Sequence, residues 1–134
     1  MAANTSPIFA LSPEASFVTV TAATTDRTGA TTTNLSELLT AGTDGTKITQ
    51  IGAKAAGTNT ATAVLIFITD TAGANPKLYD EIAMDAVTAD TTTTSQRQVT
   101  AYSDLQLKSG QKVLAGITVA QTDGINIFAI KGDY

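Results

Sequence analysis

Asp80 and Glu81 are adjacent carboxylates, and a pair of carboxylates is the usual equipment for general acid–base work. Neighbours on an extended strand point to opposite faces, so these two cannot flank one bond and read as solvated or turn-pairing charges. Asp85 and Asp90 follow closely and offer the oxygen ligands that calcium takes, but no stretch here has the D-x-D-x-D-G spacing of a dedicated loop. Ser109 lies beside Lys108 and near Lys112, the one nucleophilic pairing the composition leaves open, and a serine in Lys-Ser-Gly between strands reads as a turn residue. Gly110-Gln111-Lys112 lacks the preceding glycine pattern of a phosphate loop. Tyr79, Tyr102 and Tyr134 could stack on a sugar, yet they stand at unrelated positions and read as rim or core residues. Asp44-Gly45 and Asp123-Gly124 read as turns.

The absent residue types narrow the choice further. The 134 residues include no His and no Cys, which removes thiol nucleophiles, imidazole catalysis, the Ser-His-Asp triad and Cys or His zinc sites. No catalytic, cofactor-binding or metal-ligating residue is assigned, and the expected protein is not an enzyme. Eight basic against twelve acidic residues give a net charge of −4, with the cations scattered singly from Arg27 to Lys131. That is a poor match to a nucleic-acid surface, which needs clustered cations in excess. The longest apolar run, Ala63 to Ile68, is far short of the about 20 residues of a membrane-crossing helix. The N-terminus lacks the basic-then-apolar order of a secretory leader, so synthesis and folding in a cytoplasm, with no membrane partner, are expected.

The elements that hold these residues read as strands. Threonine fills about a fifth of the chain and alanine about a sixth, charged residues only 15%, and short alternating runs are broken at regular intervals by Gly, Asn and Asp. Pro7 and Pro13 bracket Ile8, Phe9 and Leu11, so residues 1–13 read as an extended arm whose apolar side chains seek an oligomer or capsid contact, and 14–134 as one β-sandwich domain. Strands are expected at Ser16–Thr21 and Asn34–Thr40, the latter also compatible with a helical turn. Thr46–Ala55 follows, with a bulge near Thr49 or Gln50 because Ile48 is out of phase with Ile51, Ala53 and Ala55. Ala61–Thr69 is apolar on both faces and therefore central. Lys77–Met84 sets Leu78, Ile82 and Met84 inward; Gln96–Tyr102 is a polar strand near an edge; Gln111–Val119 and Ile125–Lys131 form a closing hairpin. Thr24–Thr33 and Asp85–Ser95 read as polar connections. About eight antiparallel strands suit an all-β, jelly-roll-like sandwich of two four-stranded sheets.

Several blocks also resemble a family. Asp44-Gly45-Thr46-Lys47-Ile48, Ile51 to Ala56, Gly57-Thr58-Asn59-Thr60-Ala61-Thr62, Leu65-Ile66-Phe67-Ile68-Thr69-Asp70, Tyr79-Asp80-Glu81-Ile82, Leu105 to Leu114 and the ending Ile127 to Tyr134 are similar, in this order, to the small capsid decoration or auxiliary head proteins of tailed bacteriophages. The resemblance spans roughly residues 4 to 134, and its order along the chain carries it. It departs at Thr91–Thr94 and the polar strand after them. It implies a β-sandwich on the capsid exterior of a virion, with the major capsid protein as partner and a homo-oligomer, most simply a trimer matching three-fold junctions of the shell. Other occupations of such a sandwich are a fibre or receptor-binding module and a carbohydrate-binding domain.

Overall fold

The computed structural model describes residues 12–134, which form eight strands: β1 (Ser12–Val20), β2 (Ser36–Thr40), β3 (Thr46–Ala55), β4 (Thr62–Ile68), β5 (Lys77–Met84), β6 (Arg97–Leu107), β7 (Lys112–Ile117) and β8 (Ile125–Asp133). They build two antiparallel four-stranded sheets, β1-β8-β3-β6 and β2-β7-β4-β5, packed as a β-sandwich. Alternation decides which side chains face the other sheet. Val18 and Val20 of β1, Ile51, Ala53 and Ala55 of β3, and Ile125, Ile127 and Ala129 of β8 meet Val64 and Ile66 of β4, Ile82 and Met84 of β5, and Val113, Ala115 and Ile117 of β7 in one core. The chain nests its strands as pairs, β1 with β8, β2 with β7, β3 with β6 and β4 with β5, so the first and last strands lie side by side.

The bulge expected near Thr49 is present: the register of β3 shifts between Ile48 and Gln50 against both neighbours, which lets Ile48 and Ile51 both be fully buried. β2 is a strand with its own irregularity between Glu37 and Leu39, which buries Leu38 and Leu39 together. β4 is an interior strand of its sheet, as its two apolar faces require.

Other expectations are corrected. β7 and β8 do not form a hairpin; β7 pairs with β2 and β4, β8 with β1 and β3, and the connection between them crosses from one sheet to the other. β6 runs on to Leu107, burying Leu105 and Leu107, where the sequence reading ended the strand at Tyr102. Leu78 is displaced from the core: the register shift between Ile66 and Phe67 sets it opposite Phe67 on the outward face of the sheet, where it is half-buried. Pro13, read as part of the arm, stands in β1 opposite Gly132; an edge strand leaves some N–H groups without a ladder partner, and proline is tolerated there. Ile8, Phe9 and Leu11 lie outside the described residues.

The segment read as a polar loop over Thr24–Thr33 does more than connect. Leu65 and Phe67 point away from the sandwich core yet are fully buried. The segment between β1 and β2 lies across that outward face: Thr24 donates its N–H to the Ile117 carbonyl at 2.7 Å, Thr24 and Leu35 side chains come within 2.8 Å of where a Cβ on Gly116 would stand, and Arg27 reaches Glu81 at 2.8 Å. Gly116, Leu65 and Glu81 are consecutive cross-strand partners, so the segment roofs one row of the sheet from β7 to β5. Asp26 braces the roof from within, accepting hydrogen bonds from the N–H groups of Thr28 and Thr31 at 2.8 Å and from the Thr28 hydroxyl at 2.5 Å. The Thr28 hydroxyl, followed by the two N–H groups, holds the Asp26 carboxyl below its usual range.

One end of the other sheet is closed by a polar network. Lys131 is almost completely buried and places Nζ 3.2 Å from Asp133 and 3.1 Å from Glu14. Thr46 donates to Asp133 at 2.5 Å and accepts from the Gly42 N–H at 2.9 Å, so β1, β3 and β8 and the β2–β3 loop are tied together. Burial pushes the Lys131 ammonium down, but the hydrogen bonds and charges of Glu14 and Asp133 outweigh it and raise it above the usual value. The Thr46 hydroxyl, and after it Lys131, lower the Asp133 carboxyl against its partial burial. The Asp133 contribution to stability is present above the ordinary carboxylate range and lost as pH falls through its depressed folded value, whereas that of Lys131 is present below the ordinary lysine range and lost as pH climbs through its raised one. Melting temperature is therefore expected to be level through neutral pH and to fall below about pH 4. Thermal melts from pH 2.5 to 7 check this, with a shallower acid slope in Asp133→Asn.

Candidate functional site

Asp80, Glu81, Asp85 and Asp90 each make contacts that tie strands or loops together. Asp80 and Glu81 diverge as expected for strand neighbours, their cross-strand partners being Ile66 and Leu65 on opposite faces of β4. Asp80 turns toward the other sheet and accepts a 2.6 Å hydrogen bond from the Tyr102 hydroxyl, while Glu81 takes the roof's Arg27. Burial first, and then Asp80, raise the Tyr102 phenol above its usual value, so it stays protonated and donates. Asp85 gives its backbone carbonyl to the Asn59 side chain at 2.9 Å, and Asp90 accepts from the N–H groups of Thr92 and Thr93 at 2.8 and 2.6 Å, turning its own loop. Among the described residues, no three His, Cys, Asp or Glu side chains converge on a point where a metal ion could sit. Lys112 points to Glu37 at 3.3 Å. Ser109 and Lys108 line a cavity of about 350 Å³ with Asp44, Gln106 and Tyr134, between the β2–β3 and β6–β7 loops.

The tyrosines are less scattered than their numbers imply. Tyr79 of β5 and Tyr102 of β6 meet across the seam between the two sheets, ring centroids 5.8 Å apart and planes tilted by 53°, with Tyr79 half exposed. Tyr134 stands apart, at the cavity beside Gly45. No alternation rule could bring the first two together, because the strands that carry them belong to different sheets.

A surface that the sequence did not reveal is the outward face of sheet β1-β8-β3-β6. Cross-strand register arranges it in three rows. The middle row is Phe17, Phe128, Gly52 and Val99. On one side lie Thr19, Asn126, Lys54 and Arg97; on the other lie Ala15, Ile130, Gln50 and Ala101. Phe17 is 66% exposed, and its ring tilts at 40° against Phe128 with centroids 5.8 Å apart. Phe128 lies across β3, where a Cβ on Gly52 would meet its Cζ at 2.5 Å, and the Arg97 guanidinium caps the ring 5.7 Å from its centroid. Lys54 is tethered at 2.9 Å to the Ser95 carbonyl, and Thr19 donates to Asn126 at 2.6 Å. In the middle row Phe17, on the edge strand, is exposed while Phe128 and Gly52 are buried; polar and cationic groups lie along one border, and none of the twelve positions carries a carboxylate.

The sequence signal for this face is partial: alternation in β1 sets Phe17 and Thr19 on the face opposite Val18 and Val20 and does not say which of the two faces out. No protein-family model matches the chain, and no curated protein matches it.

Proposed function

We propose that this chain is a jelly-roll structural protein of a tailed-bacteriophage virion, a decoration protein that binds the major capsid protein lattice from outside and stabilises the head. The observation that carries this reading is the nesting of β1 with β8, β2 with β7, β3 with β6 and β4 with β5 in two four-stranded sheets, an order that fits the eight-stranded double-sheet architecture used by viral capsid domains. The resemblance across residues 4 to 134 points the same way. The mechanism is mass action: a protein that binds the assembled lattice and not its free subunits stabilises the lattice by the free energy of that binding. Three-fold junctions of a shell favour a trimer, which would also cover exposed sheet edges.

The test is made on particles. Intact heads purified on a density gradient are expected to carry the chain, with extra density on the outer surface at symmetric positions in electron micrographs; light scattering of the free chain is expected to give a trimer mass. Deleting residues 2–11, which stops short of Ser12 at the start of β1, is expected to leave the circular dichroism of the sandwich intact and to weaken co-sedimentation with heads. Heads that lack the chain would overturn the reading.

A further inference from the structure

Residues 1–11 contain the apolar run Ile8-Phe9-Ala10-Leu11 and no charged side chain, and they lead into β1 at Ser12. We propose that the cavity between the β2–β3 and β6–β7 loops is the seat of Phe9 of the same chain, so that this segment straps one end of the sandwich. The inference goes beyond the virion reading and does not rest on it. Position is the first argument. Ser12, Asp133, Thr46 and Leu107 are successive cross-strand partners, one row across the end of sheet β1-β8-β3-β6. The cavity is built on that row: Leu107 lines it, and so do Tyr134, next to Asp133, and Gly45, next to Thr46. The row spans three strand spacings, about 14 Å. An extended chain covers at most about 3.6 Å per residue, so Phe9, three residues before Ser12, reaches about 10 Å, two spacings along the row and level with Gly45.

Size and lining suit a phenyl ring. The cavity measures about 350 Å³, and an apolar cavity of about 150 Å³ already accepts benzene. Leu107 is buried and stands with the Tyr134 ring as an apolar wall, while Asp44, Gln106 and Lys108 are exposed. The walls are fixed by their own hydrogen bonds. Gly45 donates its N–H to the Gly42 carbonyl at 3.0 Å and accepts from the Tyr134 N–H at 3.2 Å; across the cavity, the Gln111 side chain accepts from the Lys108 N–H at 2.7 Å. A seat made in advance costs little ordering when it is filled. Linkage selects the occupant. A second copy, or a foreign peptide of the same composition, meets the cavity at its bulk concentration, whereas a side chain tethered within reach is present at an effective concentration in the millimolar range. At micromolar protein the chain's own Phe9 therefore holds an advantage of about a thousandfold.

The test is nuclear magnetic resonance of the isotope-labelled full chain at micromolar concentration. Overhauser contacts are expected from the Phe9 ring to the Leu107 methyls and the Tyr134 ring, and they are expected to persist undiminished when labelled chain is mixed with an excess of unlabelled chain. Phe9→Ser is expected to abolish the ring contacts and to shift the Gly45 amide, while the core signals of Ile51 and Ile127 stay in place and show that the sandwich is folded. A wild type without the Phe9–Leu107 contact would overturn the proposal, and so would a folded Phe9→Ser variant in which Gly45 does not shift. Contacts found only between labelled and unlabelled copies would overturn it as well, by seating Phe9 in a neighbour's cavity. None of these results bears on whether purified heads carry the chain, so the virion reading stands or falls separately.

Discussion

Phe67→Ala is expected to lower stability by about 3–5 kcal/mol, the usual cost of removing a fully buried aromatic ring. Against a total of about 5–15 kcal/mol for a domain, the loss is a large fraction, and a fall of roughly 10–20 °C in melting temperature follows. The size of the effect depends on Phe67 staying covered. Phe67 is on the outward face of its sheet, opposite Leu78, and without a cover it would be a surface residue whose truncation costs little. The segment between β1 and β2 covers the neighbouring row at Leu65, and its Gly29 lies against the Pro76 backbone just ahead of Leu78. Differential scanning calorimetry of Phe67→Ala decides the matter, and a shift of only a few degrees would mean that the Phe67 ring is not held buried in solution. An Arg27→Ala change, which unties the roof from Glu81 at an exposed ion pair, is expected to cost less than about 1 kcal/mol by itself.

Gly110→Ala is the second large effect, at about 2–4 kcal/mol, and its origin is backbone conformation and contact. Gly110 adopts φ +90° in the turn between β6 and β7, a region that L residues rarely enter. Its backbone is pressed against the β4–β5 loop so closely that a Cβ would stand 2.0 Å from the Thr71 carbonyl oxygen. Backbone has no rotamer with which to escape, so one loop must move. The entropy that alanine removes from the unfolded chain returns only about 0.4–1 kcal/mol. Urea melts check the prediction, with an unchanged slope showing that the loss is in the native state. Ser109→Ala in the same turn is the control, expected to stay within about 0.5 kcal/mol of wild type.

Strands were legible where one residue type alternated strongly. Val113, Ala115 and Ile117 announce β7, and the two apolar faces of β4 demanded an interior place. Even the bulge of β3 could be read, because Ile48 is out of step with Ile51. What alternation does not carry is partnership. The residues between Ile117 and Ile125 serve a hairpin or a crossing between sheets equally well, so nothing local told β7 and β8 apart as members of different sheets. The roof escaped for a related reason. Its threonines and Asp26 have the composition of a solvated loop, and the need for it lay elsewhere in the chain, in Leu65 and Phe67. The outward face with Phe17, Phe128 and Arg97 depends on the register of four strands at once, and Gly52 acquires its meaning only when Phe128 lies over it.

The nesting of first strand with last also governs how the chain can be made. β2, β7, β4 and β5 complete their sheet once synthesis has passed Ile117, but the other sheet lacks an interior strand until β8 emerges. With translation at about 5–20 residues per second, β1 waits roughly 5–20 s for its only ladder partner. During that interval its Val18 and Val20, and the facing edge of β3, are open to pairing with any other nascent strand, and such non-local pairing is slow even when correct. Production of this protein is thus expected to be limited by aggregation on the ribosome-bound time scale rather than by the stability of the finished sandwich, and slower synthesis at low temperature to raise yield only where chaperones shield β1 in the meantime.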